Sequence, residues 1–402
     1  MVHQEIAVKK IKYIALLTIG LVSLTTSDRA ICSPLDRSSI SIANQVTKIP
    51  PLLWTGTYIF TEGRGRIRIL TNGLERYGYI DRTGKIVISP KYLANGNFAQ
   101  GLAPVRFTNQ KYGFIDRGGK TVIAAKYDLA FGFVDGLAVV QIDGKMGAID
   151  RRGKLVVQPV YTNSAWEFQA GLLAVKQGNL WGFVDKQGRM VIKPQFVDPK
   201  LAQLGEEEVD IARFYLHRFS DGLAAVTRDG VNYGYINNRG EMVIPPMFKY
   251  ARAFTEGLGL VQTQTGTWGF IDRTGKMVTS LPIGENIQVA EVALLSILSE
   301  GLAGVKIGTK WGFIDRQGNQ VIPPQFENIY PFSEGLAGVV IKGKYGFIDR
   351  QGKMVIPPTF DRAFSFQSSL APVVIGEYGT VNARVGYIDR TGKLVIQQRH
   401  TL

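Results

Sequence analysis

Cysteine is almost absent from this chain of 402 residues: Cys32 is the only one. No disulfide can form within the molecule, so packing has to hold the fold. Histidine is nearly as scarce. His3, His217 and His400 lie near the two ends and in one irregular stretch, which leaves no visible metal cluster or Ser-His-Asp constellation. A spanning hydrophobic run is missing too, since the apolar segment from Tyr13 to Leu24 is about half the roughly 20 residues a transmembrane helix needs. Acid is outnumbered: 33 Asp and Glu stand against 47 Lys and Arg, for a formal charge of +14. An excess of that size attracts polyanions without specificity, and its plainest consequence is solubility.

The start of the chain has its own order. Lys9, Lys10 and Lys12 precede the Tyr13–Leu24 run, and Thr25, Thr26 and Ser27 follow it. That sequence of charge, apolar run and small residues is expected to be a secretory signal over residues 1–27, placing the mature protein in the periplasm or outside the cell. Cys32 follows Ile31, where a lipid-attachment signal wants a small residue, so lipidation is not expected. Removing residues 1–27 takes away three lysines and Glu5 and leaves a charge of +12. For an exported chain the natural polyanions are envelope polymers, and no specific nucleic acid is expected. Residues 28–64 carry Ser, Thr and Pro without periodicity and are expected to form a linker or cap.

What is abundant is repetition. Taking the glycine after an aromatic as the marker, copies stand at Gly78, Gly113, Gly147, Gly182, Gly234, Gly269, Gly312, Gly346 and Gly386, with a base period near 34 residues. A period of about 20 to 50 residues signals a solenoid, propeller or array in which each unit buries its apolar surface against its neighbours. Residues 65–402 therefore read as one array. Each unit predicts three short strands: Gly-Leu-Ala-x-Val, as at Gly335 to Val339; aromatic-Gly-aromatic-Ile-Asp, as at Tyr345 to Asp349; and a Val-Ile run, as at Val355 and Ile356. Aromatic and β-branched residues between Gly, Pro and Asp favour strand over helix. The expected fold is all-β, an open stack of about nine three-stranded antiparallel units, with a closed β-propeller as the alternative. Propeller blades usually have four strands.

The joint between the second and third strands recurs as Asp81 to Lys85, Asp116 to Lys120, Asp272 to Lys276, Asp349 to Lys353 and Asp389 to Lys393. It predicts a hairpin tip in which Asp accepts backbone N–H groups and Gly takes a left-handed conformation. A calcium site needs denser oxygen ligands than one Asp per tip. Prolines such as Pro323-Pro324 and Pro357-Pro358 are expected to end the third strand. Trp311 and Phe313 should face one way and Gly312 and Ile314 the other, so both faces are apolar and the sheets should be covered on both sides.

These units resemble the WG-repeat family, also called KWG repeats after the tripeptide that stands here as Lys310-Trp311-Gly312. Trp is kept at Trp181, Trp268 and Trp311, while Tyr replaces it at Tyr77, Tyr112, Tyr233 and Tyr345; Met146 and Val385 depart further. The resemblance implies a bacterial repeat protein acting as an interaction scaffold, and it carries over no catalytic residue and no cofactor. Three insertions near 197–218, 281–298 and 376–383 lengthen the array and map to loops, where binding often resides. Two functions follow as expectations. The first is an exported, noncatalytic scaffold for a protein or an anionic envelope polymer; the second is a carboxylate-dependent hydrolase of such a polymer. The candidate binding edge consists of the tip cations Arg82, Arg117, Arg151, Lys186, Arg273, Arg316, Arg350 and Arg390, each one residue after its Asp. If the Asp turns inward, these would form a ladder of positive charge, and a single one such as Arg316 should matter little to stability.

Overall fold

The Asp-led pentapeptides close hairpins at every repeat. In the computed structural model, which describes residues 60–71, 74–199, 217–281, 298–376 and 384–397, Asp349 Oδ1 accepts the backbone N–H groups of Gln351 and Lys353 at 3.0 and 2.9 Å. Asp81, Asp116, Asp150, Asp185, Asp272, Asp315 and Asp389 do the same two and four residues on, and Asn237 substitutes through its side-chain oxygen. The tip glycine follows at positive φ, +82° at Gly352 and +86° at Gly318. This is the three-residue hairpin in which a left-handed glycine forms the bulge.

Each tip joins the last two strands of an antiparallel meander. In the eighth unit Asn328–Ile329, Ala337–Ile341, Lys344–Ile348 and Met354–Phe360 pair in that order. The three expected strands are present, and a two-residue strand precedes them. Such a short strand has no periodicity to read. Among the described residues all regular structure is strand, arranged in eight sheets. One of these has seven strands because Met242–Ala251 serves as the last strand of the fifth unit and the first of the sixth. The array begins with Phe60–Thr61 paired to Arg64–Thr71, slightly before residue 65.

The Trp-Gly pair makes room for a bulge. Trp311 pairs with Phe326 and Phe313 with Ile322, so two steps on one strand face four on the other. The surplus backbone lies over Gly312, where a Cβ would stand 2.5 Å from the Ile322 carbonyl and 2.7 Å from the Pro324 nitrogen. Pro323 and Pro324 therefore sit inside the strand Gln320–Phe326 rather than after it. A bulge on an edge strand is where proline's missing N–H costs nothing.

The units pack face to face. Trp311, Phe313, Ile322 and Phe326 of the seventh unit bury against Ile329, Phe332, Ala337, Val339 and Ile348 of the eighth. Phe347, Ile356 and Phe360 meet Ala363, Phe366, Val373 and Ile388 of the ninth in the same manner. Met146 and Val385, the weakest copies of the aromatic position, are buried in equivalent places. The pattern then continues from the last unit to the first: Val385, Tyr387 and Ile396 bury against Phe60, Ile67 and Ile80. Of the two arrangements the repeat admits, these contacts select the closed ring. No swapped terminal strand is involved, since Phe60–Thr61 pairs within its own unit.

An antiparallel meander puts the hairpin tips and the turns between first and second strands at one end of the sheets. The described residues that flank the three insertions leave from the other end, after the fourth strand of the fourth and sixth units and between the second and third strands of the ninth. Most of each insertion and the segment 1–27 expected to be a secretory signal lie outside the described residues.

Candidate functional site

The hairpin tips carry the candidate edge. Each tip Asp spends its Oδ1 on backbone donors, as the turn chemistry requires, and desolvation at Asp315 is outweighed by hydrogen bonds from Asn319, Gln317 and Gly318 that hold its carboxyl below the usual range. In three units the cation one residue on is neutralised from elsewhere. Arg316 donates to Glu256 Oε2 at 2.8 Å and to the Glu256 carbonyl at 2.7 Å. Arg117 pairs with Glu62 at 2.8 Å and Lys186 with Asp135 at 3.0 Å. In every case the acid belongs to the preceding unit, in the turn between its first and second strands.

That acid is held in place by strain and by backbone. Glu62, Asp135, Asp221, Glu256, Glu300 and Glu334 all have φ between 50° and 54°, a left-handed conformation uncommon outside glycine. From there Glu256 accepts the N–H groups of Glu300 and Gly301 at 2.8 and 3.0 Å. Glu62 accepts from Gly101, Asp221 from Gly257, Glu300 from Gly335 and Glu334 from Ser369. The carboxylates bolt each unit to the next, and the tip cation closes the same bolt.

Of the remaining candidates, Arg151, Arg350 and Arg390 extend over Gly101, Gly301 and Gly335 of the preceding unit, with a guanidinium nitrogen 3.4 to 3.7 Å from where a Cβ would stand. Arg82 and Arg273 are exposed and make no ion pair among the described residues. The eight residues thus lie at one end of the sheets, as the repeat predicts, but three of them are locked in ion pairs. A uniform ladder of free charge is not what they form.

A second set of staples works at the opposite end, and the sequence reading did not single it out. Asp361, the residue after the fourth strand of the eighth unit, accepts from Lys344 Nζ at 2.5 Å and from the Gly376 N–H at 2.7 Å. The Lys344 hydrogen bond leads in holding its carboxyl below the normal range. Glu327 accepts from Lys342 and Gly343 N–H groups at 2.9 Å each, and Asp128 pairs with Lys111. An acid following a Phe or Tyr at the end of the Val-Ile run was the available signal.

The fourth and fifth units meet differently. His217 is 4% exposed, has a φ of 61°, and stacks on Trp181 with centroids 5.1 Å apart. Trp181 donates to Asp198 at 2.7 Å, and Lys176 pairs with the other Asp198 oxygen. Burial, assisted by Lys176 and opposed by Asp198, pulls the imidazole down to about 4. Its Nε2 has no hydrogen-bond partner. Among the described residues no group of three or more His, Cys, Asp or Glu converges with metal-binding geometry.

Nine antiparallel units closed face to face define a ring of repeated β-sheets, and the family follows from its repeat. The model of the WG containing repeat matches residues 77–112, 112–145, 146–181, 181–198, 233–264, 311–345 and 345–378, more than half of the chain, and the chain belongs to that family. No curated protein matches the sequence. Among solved structures, a eukaryotic initiation factor is similar at a TM-score of 0.53 and 14% identity over 84% of this chain and 96% of that one, which bears on the fold alone. BamB from Moraxella catarrhalis aligns at a TM-score of 0.39 and 12% identity over 79% of this chain and 93% of its own.

Proposed function

We propose that this protein is an exported, noncatalytic repeat scaffold that binds a protein or an envelope polymer. The observation that carries the reading is the fate of the repeated carboxylates. At the tips and in the turns they accept backbone N–H groups, so the residues that recur in every unit are committed to architecture. Repeats that secure one another in this way free their variable surface for recognition. Membership of the WG-repeat family supports the same conclusion. Export rests on the order of Lys9, Lys10, Lys12 and the Tyr13–Leu24 run.

The test is a screen of the purified protein against envelope glycans and teichoic-type polymers, reading binding and turnover together. Saturable binding without product is expected. Turnover that survives repurification would overturn the noncatalytic reading and favour a carboxylate-dependent hydrolase.

A further inference from the structure

We propose that ring closure creates a basic arc on the rim, formed by Lys353, Lys393, Lys85, Lys120 and Lys154, and that this arc binds a linear polyanion. The inference rests on the scaffold reading and adds to it a site and a ligand chemistry. These lysines are the fifth residues of their hairpin tips, not the second-position cations that pair with neighbouring acids. In the sequence they belong to the eighth, ninth, first, second and third units. Only the packing of Tyr387 and Val385 on Phe60 and Ile67 makes those five units consecutive.

Each lysine is placed by the tip itself. The backbone N–H groups of Lys353, Lys393, Lys85, Lys120 and Lys154 donate to the tip Asp at 2.9 to 3.1 Å. All five residues are exposed, and none makes an ion pair among the described residues. The tip Asp is the nearest acid by sequence. In the second unit Arg117 is already paired with Glu62, whereas the tip arginines of the other four units make no ion pair among the described residues and offset the tip Asp, leaving the lysine there as the surplus cation. Going on around the ring, Arg189 is tied to Asp185 at 2.6 Å, and the corresponding residue is Glu241 in the fifth unit, Lys276 in the sixth and Asn319 in the seventh, so that Lys276 stands alone between an acidic and an uncharged neighbour. The arc is therefore bounded rather than uniform.

The neighbouring surface argues for a polymer over a protein strand. In the five units of the arc the fourth strand is the last in its sheet and paired on one side only; in the eighth unit Val355, Pro357 and Thr359 are exposed along it and Lys353 immediately precedes it. Pro90, Pro159 and Pro357 stand on the fourth strands of the first, third and eighth units, where they hinder the addition of another strand. What stays available is a row of exposed lysine side chains. Several weak contacts along one chain sum through effective concentration, and they weaken together as salt screens them.

Long-chain inorganic polyphosphate is the probe, titrated at low and at physiological salt by fluorescence anisotropy. Two triple variants carry the same charge loss: Lys85→Gln with Lys353→Gln and Lys393→Gln on the arc, and Lys193→Gln with Lys249→Gln and Lys276→Gln away from it. The arc triple should weaken binding roughly tenfold at low salt, as three modest charge contacts would, and flatten the salt dependence. The second triple should change it by less than about threefold. Equal weakening in both, or equal affinity for a phosphate trimer and the long chain, overturns the arc. Matched thermal melts show that each variant is folded. Loss of the arc leaves the scaffold reading standing, because that reading falls only to turnover in the glycan screen.

Discussion

Phe60 and Tyr387 stand near opposite ends of the described chain, and their rings meet edge to face with centroids 5.1 Å apart and an interplanar angle of 71°. Phe332 meets Phe313 at 4.9 Å, and Phe366 meets Phe347 at 4.9 Å. The closing contact is thus the same ring pair that joins neighbouring units. Ser368 Oγ adds a hydrogen bond to the Phe60 carbonyl at 3.3 Å, close to the bonds from Ser299 to Phe332 and Ser333 to Phe366.

Closure predicts an energetic coupling between distant residues. Phe60→Ala should cost about 3–5 kcal/mol, as expected for a buried Phe truncation. A double-mutant cycle with Tyr387→Ala should return about 0.5–1.5 kcal/mol of coupling. Urea unfolding of the four proteins measures it, and strict additivity would mean that the ends do not meet.

At the tip of the seventh unit, Gly318 has a φ of +86°, and a Cβ there would overlap the Thr279 hydroxyl of the preceding unit. Gly318→Val is expected to cost at least about 1 kcal/mol from backbone strain alone. Arg316 is not inert as its position in a turn suggests, because it is paired with Glu256. Arg316→Ala should cost about 0.5–1 kcal/mol, in the range of a half-exposed ion pair. Thermal melts of both variants check the order of the two effects.

The strands, the tips and the two-sided burial were legible because each leaves a local mark: aromatic-Gly-aromatic alternation, and an Asp three residues before a Gly. The two-residue first strand left none. Neither did ring closure, which depends on residues of the first and last units meeting. The neutralisation of Arg316 was hidden for the same reason, since its acid lies 60 positions away. His217 looked like a loop residue because only the fold brings it onto Trp181.

Two glycines of different kinds separate space from conformation. Gly312→Ala places a Cβ 2.5 Å from a carbonyl oxygen, and backbone cannot yield cheaply, so a loss of about 1–3 kcal/mol is expected. Gly343 has a φ of +71° with nothing within 4 Å of its added Cβ. Gly343→Ala should cost only the left-handed backbone term of about 1–2 kcal/mol. Introducing Asn at each site divides them, because Asn tolerates the left-handed region: stability should be largely kept at Gly343 and lost further at Gly312.

The buried imidazole makes stability depend on pH in a defined window. His217 sits at about 4 in the folded protein and near 6.5 in an unfolded chain. Between those values the unfolded state binds more protons, so stability rises with pH. It is complete above about 6.5 and falls as pH drops toward 4, by at most about 3 kcal/mol for a shift of this size. Asp198 favours the charged form and Lys176 opposes it, so burial against Trp181 decides the sign. Carboxylates held low by hydrogen bonds, such as Asp315 and Asp272, lose their contribution at lower pH and do not mask the effect. His217→Gln removes the titrating group while keeping a polar side chain of similar length. Its unfolding free energy should change little between pH 7 and 4.5, whereas the parent should lose on the order of 2 kcal/mol. Parallel curves for the two proteins would place the imidazole in contact with water.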